Sequence, residues 1–110
     1  MISSLEKLLG TPRDGPLLRY SLGLEYAKAG DHPRAAQYLR DAVARDPTYS
    51  AAWKALGRSL SEAGLQAEAL DAYTRGIEAA RAKGDRQAEK EMTVFRKRLE
   101  KGGRASSPNS

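Results

Sequence analysis

His32 is the only histidine of the chain and directly follows Asp31, so it is the one imidazole that could serve a nucleophilic serine as a general base. Its place in a predicted turn before a helix favours a structural role instead. The phosphate-binding patterns GxxxxGKS/T and GxGxxG do not occur in the sequence. The chain has no cysteine, and a single histidine does not make a structural zinc site. The sequence therefore predicts neither an enzyme nor a bound cofactor or metal.

Basic residues are concentrated near the end of the chain. The 19 Lys and Arg residues exceed the 14 Asp and Glu residues, which gives a net charge of +5. Residues 96–104 hold five of these cations and a single acid. A basic segment can attract nucleic acid, although no aromatic residue is interleaved for stacking on bases. A solvated helix end, where cations complement the helix dipole, is the favoured interpretation.

The length and composition describe one soluble globular domain. The chain has 110 residues, of which 40% are hydrophobic and 30% charged. It has no run of about 18 apolar residues, and its start lacks the basic and apolar regions of a secretory signal. We therefore expect no membrane insertion and a cytoplasmic location.

An internal repeat of 34 residues organises the sequence, because residues 16–49 align with residues 50–83. The matched positions are apolar or small, as a shared packing scheme requires. They include Leu22 with Leu56, Gly23 with Gly57, Gly30 with Gly64, and Ala35 with Ala69.

Each repeat reads as two helices with a break at its internal glycine. In the first repeat the apolar spacing of Leu18, Leu22 and Tyr26 gives one helical face. Asp31 is placed to cap the second helix, and Pro47 to end it. Outside the repeats, residues 3–9 predict a half-repeat helix with a capping box of Ser3 and Glu6. Residues 86–101 predict a capping helix with Ala88, Met92, Phe95 and Leu99 on its apolar face, one residue late against the 34-residue frame. We expect residues 3–101 to form one domain and residues 102–110 a disordered tail.

These positions resemble the tetratricopeptide repeat (TPR) family, which also has a period of 34 residues. The second repeat carries the family pattern as Trp53, Leu56, Gly57, Leu60, Gly64, Ala69, Tyr73 and Gly76. Arg19 and Arg81 depart from it, since they stand where a bulky apolar residue and a proline are usual. The resemblance implies an all-α fold, a TPR-like stack of antiparallel helix pairs with about six helices that forms a fragment of a right-handed solenoid.

The resemblance also implies a protein-interaction module or adaptor that holds a peptide or partner protein in a concave groove built by the first helix of each repeat. On this basis the predicted groove residues are Leu17, Tyr20, Leu24, Lys28, Lys54, Arg58, Ser61, Glu62 and Arg96. Their mixture of apolar and cationic side chains suits a segment with an apolar anchor and a carboxylate, such as an acidic motif or a free C-terminus.

Two alternatives remain open at this stage. A self-assembly role as a homodimer or larger homo-oligomer predicts a mass that depends on protein concentration. Nucleic-acid binding through the basic C-terminal helix predicts an affinity that falls steeply with salt and is lost when residues 96–110 are deleted.

Overall fold

The computed structural model describes residues 1–105, which form six α-helices and, within that range, no β-strand. The helices are α1 (Ile2–Glu6), α2 (Pro16–Lys28), α3 (His32–Arg45), α4 (Ser50–Glu62), α5 (Gln66–Lys83) and α6 (Arg86–Ala105). Consecutive helices pack against each other, and α4 also contacts α2 and α6. The predicted all-α stack is confirmed, with α2–α3 and α4–α5 as the two complete pairs.

Each complete pair turns at a glycine that adopts the left-handed conformation predicted for it. Gly30 has a φ of 83° and Gly64 a φ of 81°, which residues with a Cβ rarely adopt. The Asp31 carboxylate then caps α3 by accepting the backbone N–H of Arg34 at 3.2 Å. Asp85 caps α6 in the same way. The turns between helices are therefore encoded locally, at the positions where the repeat pattern places them.

The two repeats differ in the length of their second helix. In the first repeat α3 ends at Arg45, just before a residue that Pro47 pushes out of the helical region. Arg81 stands at the equivalent position of the second repeat, and α5 continues to Lys83. Arg81 also forms an ion pair with Glu89 of α6 at 2.9 Å. The missing proline therefore lets α5 continue for four residues more than α3, or about one turn.

The first helix is shorter than predicted and lacks the predicted capping box. It begins at Ile2 without a side-chain cap and ends at Glu6. Ser3 lies inside the helix, so it cannot act as its cap. The Glu6 carboxylate instead accepts the hydroxyl of Tyr26 at 2.7 Å. Glu6 thus attaches α1 to α2 rather than closing the start of its own helix.

The last helix is longer than predicted. The sequence predicts a helix over residues 86–101 and a disordered tail over residues 102–110, but α6 continues to Ala105. A glycine ends a helix when it adopts a positive φ, and Gly102 does not. The rest of the predicted tail, residues 106–110, lies outside the described residues.

The helix pairs pack closely because glycines leave room for large side chains. A Cβ added to Gly23 would lie 2.5 Å from Cγ of Leu39 on α3. At the equivalent Gly57, a Cβ would collide with the ring of Tyr73 on α5. Large apolar side chains can therefore fill the space between the helices of each pair. The largest that are fully buried are Leu22, Leu39, Leu60 and Met92.

Arg19 occupies the position that Trp53 has in the second repeat, and it replaces an apolar contact by an ionic one. Its guanidinium binds the Asp14 carboxylate through two nitrogens at 2.8 and 2.9 Å. A third nitrogen donates to Asp41 of α3 at 3.0 Å. The Arg19 guanidinium lowers the pKa of the Asp14 carboxyl to about 2, with help from the backbone N–H of Gly10. The loop before α2 is thus tied to both helices of the first pair.

Candidate partner-binding groove

The first helices of the two complete pairs, α2 and α4, border a cavity of about 480 Å³. Four of the predicted groove residues line it: Leu24, Lys28, Arg58 and Glu62. Leu24 and Arg58 are 34 residues apart, as are Lys28 and Glu62, so each pair occupies equivalent positions in successive repeats. The other lining residues are Ala27, His32, Ala55 and Ser59. We call this set of residues the α2–α4 groove.

The α2–α4 groove combines an apolar wall with two cations. Leu24 and two alanines provide the apolar part. Lys28 is held loosely by Glu25, with a distance of 3.5 Å between Nζ and the carboxylate. Arg58 is exposed, and no ion pair found within the described residues involves it. Glu62 adds one acid at the end of α4. The groove thus offers a guanidinium that is free to bind a carboxylate without losing an internal partner.

His32 also lines the α2–α4 groove, a role that the sequence did not reveal. It lies in the first turn of α3, directly after the turn that joins the two helices of the first repeat. Its Nδ1 is buried and has no hydrogen-bond partner within the described part of the chain. A buried polar atom without a partner costs free energy, so a hydrogen bond to this atom would be favourable. The position of His32 at the turn was visible in the sequence, but its contact with α4 was not.

Three further predicted residues lie outside the cavity. Tyr20 is half-buried and packs against Tyr49, with ring centroids 4.9 Å apart. Leu17, in the first turn of α2, is 68% exposed. Ser61 is half-buried on α4 and does not line the groove. Tyr20 and Leu24, which are four residues apart on α2, therefore have different surroundings, because Leu24 lines the groove while Tyr20 packs against the segment before α4.

Lys54 does not act as a free cation beside Arg58. Its Nζ donates to the Glu91 carboxylate of α6 at 2.7 Å. The hydrogen bond from Lys54 lowers the pKa of Glu91 below its usual value. The sequence analysis assigns both Lys54 and Arg58 to the groove, but the two cations differ in their surroundings. Lys54 joins α4 to α6, and Arg58 alone supplies the cation of α4 to the groove.

Arg96 faces a different helix from the one predicted. Its Nη1 donates to the Thr74 hydroxyl of α5 at 3.3 Å, so it lies against the second helix of the pair. Glu89, on the same helix, pairs with Arg81 of α5. The residue of α6 that reaches α4 is Glu91. Arg96 therefore lies on the α5 side of α6 and does not line the α2–α4 groove, because a shift of one residue turns a helix by about 100°.

The second helices border two further clefts at equivalent positions of successive repeats. The α3–α5 cleft has a volume of about 660 Å³, and Trp53, Leu56 and Leu60 contribute to its apolar lining. Arg40 and Glu68 form an ion pair at its edge, 3.2 Å apart. The α1–α3 cleft, with a volume of about 560 Å³, is lined by polar and aromatic side chains instead. Those that contact each other there are Glu6, Arg19, Tyr26, Arg34 and Tyr38.

None of the helices within residues 1–105 has both the length and the apolar character that crossing a membrane requires. No group of three or more His, Cys, Asp or Glu side chains in the described part is placed to hold a metal ion.

Comparison with known proteins finds relatives along nearly the whole chain. The family model for the tetratricopeptide repeat matches residues 16–59. A TPR repeat-containing protein of Pseudomonas aeruginosa is 48% identical over 101 residues, which cover 92% of this chain and 96% of that protein. The solution structure of a protein from Bordetella parapertussis has a TM-score of 0.82 at 40% identity, covering 96% of this chain and 92% of the other. The crystal structure of the Sgt2 TPR domain from Aspergillus fumigatus has a TM-score of 0.80 at 30% identity, covering 97% of this chain and 71% of that one.

Proposed function

Because this chain belongs to the tetratricopeptide repeat family, we propose that it is a protein-interaction module that holds a peptide or a segment of a partner protein in the α2–α4 groove. The family's fold is typical of interaction modules rather than enzymes. We propose further that residues 3–101 act together as one domain in this role, in the cytoplasm.

The observation that carries this proposal is the position of four predicted residues around one cavity. Leu24, Lys28, Arg58 and Glu62 come from two helices, and the 34-residue period brings them together. In a groove of this kind, residues from successive repeats can contact the same bound segment. Its volume of about 480 Å³ falls within the usual range for a ligand pocket.

The partner segment that suits this groove carries an apolar side chain and a carboxylate. Leu24 and Ala55 provide an apolar contact, and the exposed Arg58 guanidinium can bind a carboxylate through two nitrogens. Lys28 of α2 and Glu62 of α4 carry opposite charges on the two helices that border the groove. They would therefore favour one orientation of a bound charged segment over the reverse one. An acidic motif or a free C-terminus has this chemistry.

The experiment that tests the proposal measures how two charge-reversal variants bind to an array of peptides that end in a free carboxylate. Arg58→Glu removes the groove cation, whereas Arg13→Glu makes the same charge change in the exposed loop before α2. We expect Arg58→Glu to weaken binding at least tenfold while Arg13→Glu leaves it unchanged, because an acid in the groove repels the ligand carboxylate.

A second array, with the same peptides ending in an amide, distinguishes a free C-terminus from an internal acidic segment as the ligand. If only the free-carboxylate peptides bind, the ligand is a C-terminus. If both arrays bind and Arg58→Glu weakens both, the ligand is an internal acidic segment. Equal binding by wild type and Arg58→Glu on both arrays would place recognition outside the α2–α4 groove and contradict the proposal.

A further inference from the structure

The outward face of α6 carries a row of cations that the groove does not use. Four of them follow one another at spacings of four, seven and four residues, which places those four on one side of the helix. The fifth, Arg98, lies beside them, about 100° around the helix from Lys97. All five are exposed, and Arg96 is not among them because it lies against α5. We call this set the α6 cation row, and it consists of Arg86, Lys90, Lys97, Arg98 and Lys101.

Acids of α6 compensate little of the α6 cation row. Two of its three acids within residues 86–102 are already bound to cations of other helices, since Glu89 pairs with Arg81 and Glu91 with Lys54, and only Glu100 lies exposed beside the row. None of the ion pairs found within residues 1–102 involves a member of the row. The chain has 19 basic and 14 acidic residues, so removing these five cations leaves 14 of each. The entire net charge of +5 therefore equals the charge of the row.

The surroundings of the row restrict the kind of polyanion that fits it. The row extends for about 22 Å along the helix, at about 1.5 Å per residue. Met92, Phe95 and Leu99 on the other side of α6 pack against the core, and Val94 is the one large apolar side chain exposed beside the row. A helix that enters a lipid surface needs a free apolar face. Binding of single-stranded nucleic acid relies on exposed aromatic rings, and the described part of α6 presents none.

We propose that the α6 cation row binds the phosphate backbone of a nucleic-acid duplex without reading its sequence. Contact with phosphates needs only cations, and each one that neutralises a phosphate releases a counterion. A row of cations about 22 Å long can face several phosphates of a duplex, which carries one negative charge per about 1.7 Å of its axis. The site is separate from the α2–α4 groove, so either proposal can fail without the other.

The test measures the fluorescence anisotropy of a short labelled DNA duplex, and of an RNA duplex of the same sequence, with the full chain. Five phosphate contacts predict a slope of about −4.5 for log affinity against log salt, or an affinity loss of about 500-fold between about 50 and about 200 mM salt. In the variant Lys97→Gln/Arg98→Gln/Lys101→Gln, two contacts remain, so the slope should fall to about −1.8 and the loss to about 12-fold.

The matched control neutralises three cations that already have acidic partners, Arg40, Arg75 and Arg81. It makes the same change in net charge and should leave the slope at the wild-type value. The duplex that binds more tightly identifies DNA or RNA as the source of the phosphates. An unchanged slope in the row variant, an equal change in the control, or no binding at the lowest salt would overturn the proposal. Equally tight binding to polyglutamate or to phosphatidylserine vesicles would also overturn it, in favour of a general anion patch.

Discussion

Lys54 of α4 and Glu91 of α6 form an ion pair with 2.7 Å between Nζ and the carboxylate oxygen. The two residues are 37 positions apart, in helices that are separated along the chain by α5. Both side chains remain more than a third exposed, at 36% and 39%. The pair therefore joins neighbouring first helices at the surface, and it uses a cation that the sequence assigned to partner binding.

A charge exchange should test this link between α4 and α6. In Lys54→Glu two acids face each other, so we expect a lower melting temperature than in the wild type. The exchanged pair Lys54→Glu/Glu91→Lys should recover most of that loss, since it restores opposite charges at the same distance. Thermal unfolding at low and high salt measures both effects, and salt should reduce the difference between the variants. Failure of the exchange to recover stability would show that the pair does not couple the helices.

Gly57→Ala should destabilise the second helix pair. The added Cβ would lie within 2.8 Å of Cζ of Tyr73, whose ring is buried and 4% exposed, so the ring cannot move aside freely. Overpacking of this kind costs about 1–3 kcal/mol, of which about 1 kcal/mol is offset by the better helix propensity of alanine. We therefore expect urea unfolding to show a net loss of stability of up to about 2 kcal/mol.

Gly102→Ala is the matched control for this substitution, because no atom lies within 4 Å of its added Cβ. It should be neutral or slightly stabilising. Similar effects of the two substitutions would show that packing against Tyr73 does not require a glycine at position 57.

The fold was predictable because its determinants are local or repeat at a fixed interval. Asp31 caps the helix that follows it, Pro47 marks the end of α3, and Gly23 with Gly57 shows where helices approach. The ends of α1 and α6 were not predictable in the same way. Glu6 fits the pattern of a capping box, but the hydroxyl of Tyr26, twenty residues away, is its actual partner.

Acid should weaken the wild type through Asp14. Its pKa is lowered from 3.8 to about 2 in the folded protein, mainly by hydrogen bonds from Arg19. A carboxyl with a lowered folded pKa stabilises fully above its unfolded pKa, and that contribution is lost as the pH falls through the folded pKa. The stability difference between wild type and Asp14→Asn should therefore be constant above about pH 5 and shrink between about pH 4 and pH 2.

Urea unfolding at a series of pH values measures this difference directly. The variant Arg19→Gln provides the control, because it removes the main cause of the lowered pKa. In that background the pH dependence of the Asp14→Asn effect should be much weaker. A difference between wild type and Asp14→Asn that does not change with pH would argue against a lowered pKa.

Filling one cleft at a time should show which face binds the partner. Ala55 lines the α2–α4 groove and Ala67 lines the α3–α5 cleft on the other side of the helix pairs. We expect Ala55→Phe to abolish peptide binding by occupying the groove, whereas Ala67→Phe leaves the affinity unchanged. Isothermal titration with a peptide from the array measures both, and circular dichroism checks that the variants fold. The reverse pattern would move the binding site to the α3–α5 cleft.

The sequence was enough to predict those groove residues whose role depends only on their position within one repeat. Leu24 and Arg58 occupy equivalent positions, so the 34-residue period was enough to bring them to one cavity. Roles that depend on contacts between helices were not predictable. The pairing of Lys54 with Glu91 can be predicted only if the position of α6 is known. The orientation of Arg96 depends on how α6 is rotated about its axis, and the residue inserted before α6 leaves that rotation undetermined by the 34-residue period.

The attachment of α1 has a consequence for the cooperativity of unfolding. This helix contains five residues, and none of them is buried. Its polar attachment is one carboxylate, that of Glu6, which accepts hydroxyls from Tyr26 at 2.7 Å and Tyr38 at 3.3 Å. Detachment of α1 would break these hydrogen bonds and expose side chains that are only partly buried against the core, Ile2, Leu5, Leu8 and Leu9. It would leave the two complete pairs intact, so we expect local opening at a free energy below that of global unfolding. The amides of residues 3–9 would then exchange with solvent deuterium long before those of α4, and the protein would behave as two cooperative units of unequal stability.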